Sequence, residues 1–257
     1  MKVDLSRSLA ATFVLLAASS ASFAIQPQLS APHAGAVPAG PEGSVLYDQN
    51  NNPGATSITS QNFEAANDAF DTAAADDFVV PGGFVWDVDN VDVVGLYFNG
   101  PGPVASVDVN FYADAAGLPG ALECARPGVI PIDTAGSFDI TFAACSLAAG
   151  THWVSVIANM DFTPGGQWGW SERAVQSFSP SAWQNPGGGF ASCTTWSPRV
   201  ATCLVGTDPD LLFTISGVAS GIPSTLEIPT LGVWGLAALA MLLLVASLWY
   251  LRRQRTV

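Results

Sequence analysis

The sequence predicts an all-β domain, built as a β-sandwich, followed by one C-terminal transmembrane helix. Three observations point to this class. Short runs alternate apolar and polar residues with a period of two, which is typical of strands that bury one face. Pro-Gly turns separate these runs, and no convincing helical period lies between them. An uncharged apolar stretch, 231–251, follows the domain and precedes a group of arginines.

The alternating runs place the predicted strands along the middle of the chain. They lie at 107–112, 138–142 and 151–158, and the run 211–215 closes the domain. Residues 91–98 are more continuously apolar, which is typical of a central strand. We favour a jelly-roll order of these strands over an immunoglobulin-like order.

The beginning of the chain is predicted to be a secretory signal peptide, residues 1–24. Lys2 and Arg7 give it a positive start, and 9–18 form its apolar core. Small residues at the two positions that a signal peptidase reads then precede the predicted cleavage after Ala24. A permanent N-terminal anchor is the alternative, which the short apolar core disfavours.

The remaining boundaries follow from composition. Residues 25–44 are rich in Pro, Ala, Gly and Ser and are predicted to be a flexible linker. The β-sandwich ectodomain then spans 45–218, a length that suits a single domain with its own core. A second linker, 219–227, leads to the C-terminal segment 228–257.

The C-terminal segment has the length and polarity of a membrane span. The uncharged run 231–251 corresponds to a helix of roughly 30 Å, enough to cross the hydrocarbon core. Arg252, Arg253 and Arg255 follow it and are predicted to hold the C-terminus on the cytoplasmic side. On these residues alone, an ordinary membrane anchor is an equally good interpretation.

A short motif precedes this span. It reads Ile228-Pro229-Thr230-Leu231, then Gly232-Val233, then Trp234-Gly235. Motif, span and arginine cluster together resemble the IPTL-CTERM sorting domain of Gram-negative bacteria, which is similar to the PEP-CTERM signals read by exosortases. A Ser-Glu-like pair is more usual in that family where this chain has Gly232-Val233, at positions that tolerate change. The resemblance covers about the last thirty residues.

The resemblance implies how the chain is handled. A membrane-embedded transpeptidase of the exosortase type would recognise the motif, cleave near it, and release the ectodomain or transfer it to the cell surface. The chain would be the substrate of that reaction and would supply none of the cutting chemistry. Before processing, the ectodomain would sit outside the cytoplasm, anchored in the inner membrane.

The exported part, residues 25–227, is strongly acidic. It carries twenty acidic side chains against only Arg126, Arg173 and Arg199, a formal charge of −17. Such a surface repels phosphate backbones, so nucleic acid is not an expected partner. The same charge attracts divalent cations.

Four cysteines fall into two local pairs. Four cysteines allow three connectivities, and we favour Cys124–Cys145 and Cys193–Cys203, because each pair closes a short loop. Such bonds form in an oxidising compartment. A zinc site is the alternative, but it prefers Cys-x-x-Cys pairs, which the sequence lacks.

Clustered acids offer a candidate structural calcium site without a secure set of ligands. Asp76-Asp77 form one group, and Asp87, Asp89, Asn90 and Asp92 form another. The second group lacks the glycine and terminal glutamate of an EF-hand loop. Its alternative interpretation is the outer face and turn of a hairpin that joins 84–88 to 91–98.

Indoles are concentrated in the last third of the domain. Trp168, Trp170 and Trp183 are candidates for a platform that stacks on a glycan, and Trp196 is a fourth indole nearby. Neighbouring polar side chains would supply hydrogen bonds to the sugar: Gln167, Glu172, Gln184 and Asn185. We favour the alternative, in which these rings fill or shield the core, as large aromatic side chains usually do.

Signs of catalysis are weak. His152 is the only histidine of the folded part and lies within a strand pattern, where a structural role is favoured. Gly-x-Ser-x-Gly and His-Glu-x-x-His motifs are absent from the sequence. A hydrolase that uses two distant carboxylates is a third hypothesis, in which no pair stands out. We therefore expect a non-catalytic surface or extracellular-matrix protein, with a carbohydrate-binding module as the alternative.

Overall fold

The computed structural model describes residues 24–29, 43–221 and 233–254. The chain divides into two compact units, one ending at Ser220 and the other beginning at Gly221. The predicted signal peptide lies outside the described residues except for Ala24, and so do residues 228–231 of the sorting motif.

The first unit is built mainly from strands, which confirms the all-β prediction. The strands are β1 (Gln28–Leu29), β2 (Ser44–Asp48), β3 (Pro53–Thr59), β4 (Gln61–Asn62), β5 (Ala73–Val80), β6 (Phe84–Val93), β7 (Gly95–Phe98), β8 (Ser106–Asp114), β9 (Pro119–Val129), β10 (Ile132–Thr134), β11 (Ser137–Leu147), β12 (Gly150–Asn159), β13 (Gln167–Arg173), β14 (Ala182–Gln184), β15 (Ser197–Pro198), β16 (Asp210–Leu211) and β17 (Phe213–Gly221). Short helical turns lie at Ala65–Phe70 (3-10), Phe162–Gly165 (α1) and Arg199–Cys203 (π).

The strands form three sheets that are antiparallel in the main. The first has the order β1-β3-β13-β16, with β7 also paired to β13. The second has the order β10-β11-β6-β17-β2, and the third has the order β15-β14-β5-β12-β8-β9. Strand β4 adds to the third sheet as a parallel partner of β12. The jelly-roll order stays a prediction.

Strand alternation explains where the core lies. On β8, Val107, Val109 and Phe111 are buried while the residues between them are only half-buried. Most buried apolar side chains of the three sheets join in one cluster, which includes Trp170 from the first sheet and Ile140 from the second. Ala75, Trp153 and Ala182 form a second, smaller cluster. Burial of this apolar surface is the main stabilising contribution to such a domain.

Two local predictions are corrected. Residues 84–98 do not form a hairpin: β6 runs straight through Asn90, and β7 belongs to the first sheet. Asp87, Asn90 and Asp92 of β6 all pair with residues of β11, and the register shifts between Thr141 and Cys145. These polar residues therefore lie within a strand and do not mark a turn. The predicted linker 25–44 also contains ordered structure, because β1 pairs with β3 and the Gln26 backbone N–H donates to Gln167 Oε1 at 2.9 Å.

The described part of the second unit from residue 233 onward is one helix, α2 (Val233–Gln254), of 22 residues. Arg252 and Arg253 lie in its last turn, and the Arg253 guanidinium lies 5.5 Å from the centre of the Trp249 ring. Over the part of the chain that the structure describes, no helix has both the length and the apolar character that a membrane crossing requires.

Candidate functional site

The three indoles proposed as a glycan platform are buried. Trp168, Trp170 and Trp183 have 0% of their surface exposed. Each indole N–H donates to a backbone carbonyl, so its one polar atom is satisfied inside the fold; the acceptors are Gly136 O at 2.7 Å, Leu212 O at 2.7 Å and Thr59 O at 3.0 Å. The platform prediction is therefore wrong, because a sugar cannot reach these ring faces.

The burial of Trp168 and Trp170 follows from the position of β13. This strand lies between β3 and its other partners, β7 and β16, and all seven of its residues are buried. Trp168 stacks on Phe138 with ring centroids 4.8 Å apart. Trp196 is half-buried and meets Tyr112 edge-on at 5.8 Å. The rings fill and shield the core, as the favoured alternative held.

The polar side chains near the indoles also serve the fold. Asn185 is buried, and its Nδ2 donates to two backbone carbonyls, Ala69 O and Asp71 O, each at 2.8 Å. Gln167 Nε2 donates to Gln26 O at 2.5 Å. These hydrogen bonds hold loops and the N-terminal strand in place. They occupy much of the hydrogen-bonding capacity of both side-chain amides, so little of it remains for a ligand.

Both predicted disulfides are confirmed. Cys124–Cys145 joins β9 to β11 with a Cα–Cα distance of 6.0 Å, and Cys193–Cys203 closes a shorter loop at 5.5 Å. The described residues include no free cysteine. The zinc alternative is thereby excluded, because a cysteine sulfur in a disulfide is not a thiolate ligand.

His152 occupies a structural position on β12. Its Nδ1 lies 2.6 Å from Glu123 Oε2, and its Nε2 lies 2.7 Å from Ala148 O. Only 5% of the residue is exposed. Both ring nitrogens thus have partners within the fold, which supports the structural interpretation.

The first acidic group is a buried network. Asp76 Oδ2 accepts hydrogen bonds from Gln49 Nε2 and from the Leu211 backbone N–H, both at 2.7 Å. Burial, together with the charge of Asp210, raises the pKa of Asp76 well above its usual range. The sequence pair Asp76-Asp77 thus extends to a third acid, Asp210, which is distant in the chain.

In the described part of the chain, Asp77 and Asp210 each have one carboxylate oxygen without a hydrogen bond, whereas both oxygens of Asp76 accept one. Burial raises the pKa of each carboxyl to about 6. Asp77 Oδ2 accepts from the Ser179 backbone N–H at 3.0 Å, and Asp210 Oδ2 lies 3.5 Å from Arg173 Nη1. The Oδ1 atom of each is buried, with no hydrogen-bond partner among the described residues. This network holds protons at mildly acidic pH.

The second acidic group is spread out. Asp87 and Asp92 lie five positions apart on the extended strand β6, about 16 Å along it. Asp87 and Asp92 are therefore too far apart to bind one ion together, and a structural calcium elsewhere in the domain stays a prediction. In the described ranges, no group of three or more His, Cys, Asp or Glu side chains has the spacing to hold a metal. Asp92 instead faces Asp139 on β11, and burial together with the charge of Asp139 raises the pKa of Asp92 to about 7.

A polar groove that the sequence did not reveal lies where β4 meets β12. The parallel pairing brings Asn62 beside Asn159, and Asn62 Nδ2 donates to Asn159 Oδ1 at 3.0 Å. Asn159 Nδ2 donates to Asp108 Oδ1 at 2.8 Å. Pockets of about 460 and 350 Å³ meet at Asn62. No sequence signal links residues so far apart in the chain, and only the strand pairing brings them together.

The sorting segment is described in part. Ile228, Pro229, Thr230, Leu231 and Arg255 lie outside the described residues. Trp234 and Gly235 fall in the first turn of α2, and Arg252 and Arg253 are exposed in its last turn.

Comparison with known proteins finds no match for this chain among family models, curated proteins or solved structures.

Proposed function

We propose that this chain is an exported, surface-sorted protein without catalysis of its own. Its ectodomain serves as a cell-surface or extracellular-matrix component, and its C-terminal segment is the substrate of an exosortase-type transpeptidase. One observation carries the proposal: the Ile-Pro-Thr-Leu…Trp-Gly motif, an uncharged stretch and an arginine cluster follow one another in the order of a sorting signal.

The chemistry of the ectodomain supports an extracellular location. Two disulfides suit an oxidising compartment, where such bonds form and persist. The predicted signal peptide at residues 1–24 supplies a route of export. A formal charge of −17 over residues 25–227 keeps an exported protein soluble and disfavours contact with anionic lipid.

The proposal includes a membrane-anchored stage before processing. The uncharged run 231–251 is the proposed span, and its support comes from the sequence, because 21 residues without a charged side chain correspond to a helix of roughly 30 Å. Arginines at the end of the run would then hold the C-terminus in the cytoplasm by the positive-inside bias.

The geometry of the ectodomain favours a structural role over the alternatives. The carbohydrate-binding alternative loses its support because Trp168, Trp170 and Trp183 are buried. The hydrolase alternative gains no support from His152, because both of its ring nitrogens have partners within the fold. Asp76, whose pKa is raised well above its usual range by burial, accepts all its hydrogen bonds from within the fold.

The test is the intact mass of the mature protein isolated from its native host. Wild type is compared with Pro229→Ala, which changes the motif, and with Pro223→Ala, a matched control in the linker before it. We expect wild type and Pro223→Ala to end near the motif, and Pro229→Ala to retain its tail. Retention of residues 252–257 in wild type would contradict the proposal and leave a single-span membrane protein.

A further inference from the structure

Two acids face each other across the second sheet. Asp92 on β6 is the direct partner of Asp139 on the antiparallel strand β11. Side chains in such a pair have Cβ atoms about 4.5–5.5 Å apart and point to the same face of the sheet. That face is opposite to the one where Val91 and Ile140 enter the core. Two carboxylates therefore share one small volume.

Neither carboxylate is fully satisfied. Asp92 Oδ1 and Asp139 Oδ2 are buried and have no hydrogen-bond partner among the described residues, and Asp139 is only 1% exposed. The other oxygen of Asp139 accepts from Asn90 Nδ2 at 2.5 Å. A buried charged oxygen without a partner is strongly unfavourable, so something outside the fold's own hydrogen bonds must compensate this pair.

No basic side chain of the domain is available for that purpose. Residues 25–227 contain three arginines and no lysine. Arg173 binds Asn51 and Asp210, Arg199 binds Glu172, and Arg126 donates to the carbonyls of Ala125, Ala143 and Ala144. Like charges directly opposite on a sheet destabilise it unless a cation or a proton lies between them.

The next residue pair supplies one further ligand oxygen, the Thr141 hydroxyl, because Asn90 turns its Nδ2 toward the group and donates to Asp139 Oδ1 and, at 3.3 Å, to Thr141 Oγ1. Asn90 lies opposite Thr141, on the same face as the two acids. Thr141 is exposed and Asp92 is half-buried, so the group opens to solvent on one side. Two carboxylates, an amide and a hydroxyl thus form a two-by-two block, with a path by which an ion and its waters enter.

We propose that Asp92 and Asp139, assisted by the Thr141 hydroxyl and by water, bind a divalent cation of the calcium type. Ca²⁺ takes six to eight oxygen ligands in flexible geometry and accepts waters among them. The proposed site contains only two carboxylates, those of Asp92 and Asp139. It is therefore smaller than a group of three or more acidic side chains. Mg²⁺ demands stricter octahedral geometry and dehydrates reluctantly, so the block favours Ca²⁺.

The test is a thermal melt of the full chain, oxidised, purified in mild detergent and treated with EDTA. CaCl₂ is titrated at constant ionic strength, with NaCl and MgCl₂ titrated in parallel. For wild type we expect a Kd for Ca²⁺ of roughly 0.1–1 mM, the range of extracellular modules. At ten times that concentration, the Tm should rise by roughly 3–6 °C.

Three isosteric variants test whether the calcium-dependent rise in Tm arises at this pair of acids. Asp92→Asn and Asp139→Asn should lose the calcium-dependent rise. Asp87→Asn should retain it, because Asp87 lies on the same strand but opposite Ser146, away from any paired carboxylate. If Asp139→Asn fails to fold, calorimetric titration of CaCl₂ into wild type and Asp92→Asn replaces the melt, and one-site binding is expected in wild type alone.

Two results would overturn the inference. A wild-type Tm that responds to CaCl₂ no more than to NaCl would show that the pair holds a proton instead of a cation. An equal loss of the response in Asp87→Asn would show that calcium acts on the acidic surface as a whole. Equal calorimetric heats in wild type and Asp92→Asn would also contradict a site at this pair.

Discussion

Glu172 and Arg199 form an ion pair whose two side chains are both completely buried. Glu172 also accepts from the backbone N–H groups of Thr207 and Asp208, at 3.0 and 3.2 Å. Arg199 Nε donates to Ser181 Oγ at 2.9 Å. The pair therefore fastens the irregular segment that follows β14 to the central strand of the first sheet.

Removing one member of this pair should be strongly destabilising. Arg199→Met leaves the Glu172 carboxylate buried without its counter-charge, so we expect a loss of about 3–5 kcal/mol in the free energy of unfolding. Denaturant unfolding followed by Trp fluorescence measures it. The double variant Glu172→Leu/Arg199→Met should lose less than the single variant, because it leaves no buried charge. A larger loss in the double variant would contradict this account.

Trp168 should act through stability and not through binding. Trp168→Ala removes the ring that stacks on Phe138 and leaves the Gly136 carbonyl without its donor, so we expect a loss of about 3–5 kcal/mol. Trp196→Ala is the control, because Trp196 is only half-buried and should lose less. Equal losses, measured by denaturant unfolding, would show that the burial of Trp168 is not what matters.

The two disulfides should contribute unequally. Replacing both cysteines of either bond by alanine should lower the free energy of unfolding by about 2–4 kcal/mol. The Cys124–Cys145 bond spans 21 positions and the Cys193–Cys203 bond spans 10. The longer loop should give the larger loss, by about 0.6 kcal/mol from closure entropy. Parallel unfolding curves of the two double variants test the order, and a reversed order would show that native-state packing outweighs loop entropy.

Stability should fall as the pH rises through 6. The folded-state pKa of Asp77 is about 6, above the ordinary value of 3.8, so the folded state binds this proton more tightly than the unfolded state. The stability from Asp77 is fully present below pH 3.8 and is lost progressively as the pH rises to 6 and above. Thermal melts between pH 4 and 8 measure the slope.

The variant Asp77→Asn separates this effect from other titrations. Asparagine cannot ionise, so the variant should be less sensitive to pH, by on the order of 2 kcal/mol between pH 4 and 8. Asp161→Asn, at an exposed position before α1, should follow the wild-type slope. An unchanged slope in Asp77→Asn would mean that Asp77 is not the group responsible.

The local patterns predicted the parts of the fold that are decided locally. Period-two alternation predicts β8 because one of its faces enters the core and the other is only half-buried. It does not reveal that β13 is buried on both faces, because that depends on strands far away in the chain. The indoles were therefore ambiguous in sequence and are unambiguous in the structure.

The sites depend on pairings that sequence spacing does not contain. Asp92 was grouped with its near neighbour Asp89, whereas its partner is Asp139 on another strand. A polar pair such as Asp89-Asn90 signals a turn in most sequences, but here β11 accommodates it with an irregularity in the pairing. Asn62 and Asn159 meet only through the parallel β4–β12 pair.

The scarcity of basic side chains would have a consequence outside the cell, where we propose that this domain is exported. Trypsin-like proteases cut after lysine and arginine unless proline follows. Residues 25–227 contain only Arg126, Arg173 and Arg199, and Pro127 follows Arg126. Arg199 and Arg173 are buried, and Arg126 is half-buried in β9 with its guanidinium bound to three carbonyls. The described part of the folded first unit therefore presents no readily accessible bond to this class of enzyme. Its shortage of lysine and arginine is thus a form of resistance to digestion.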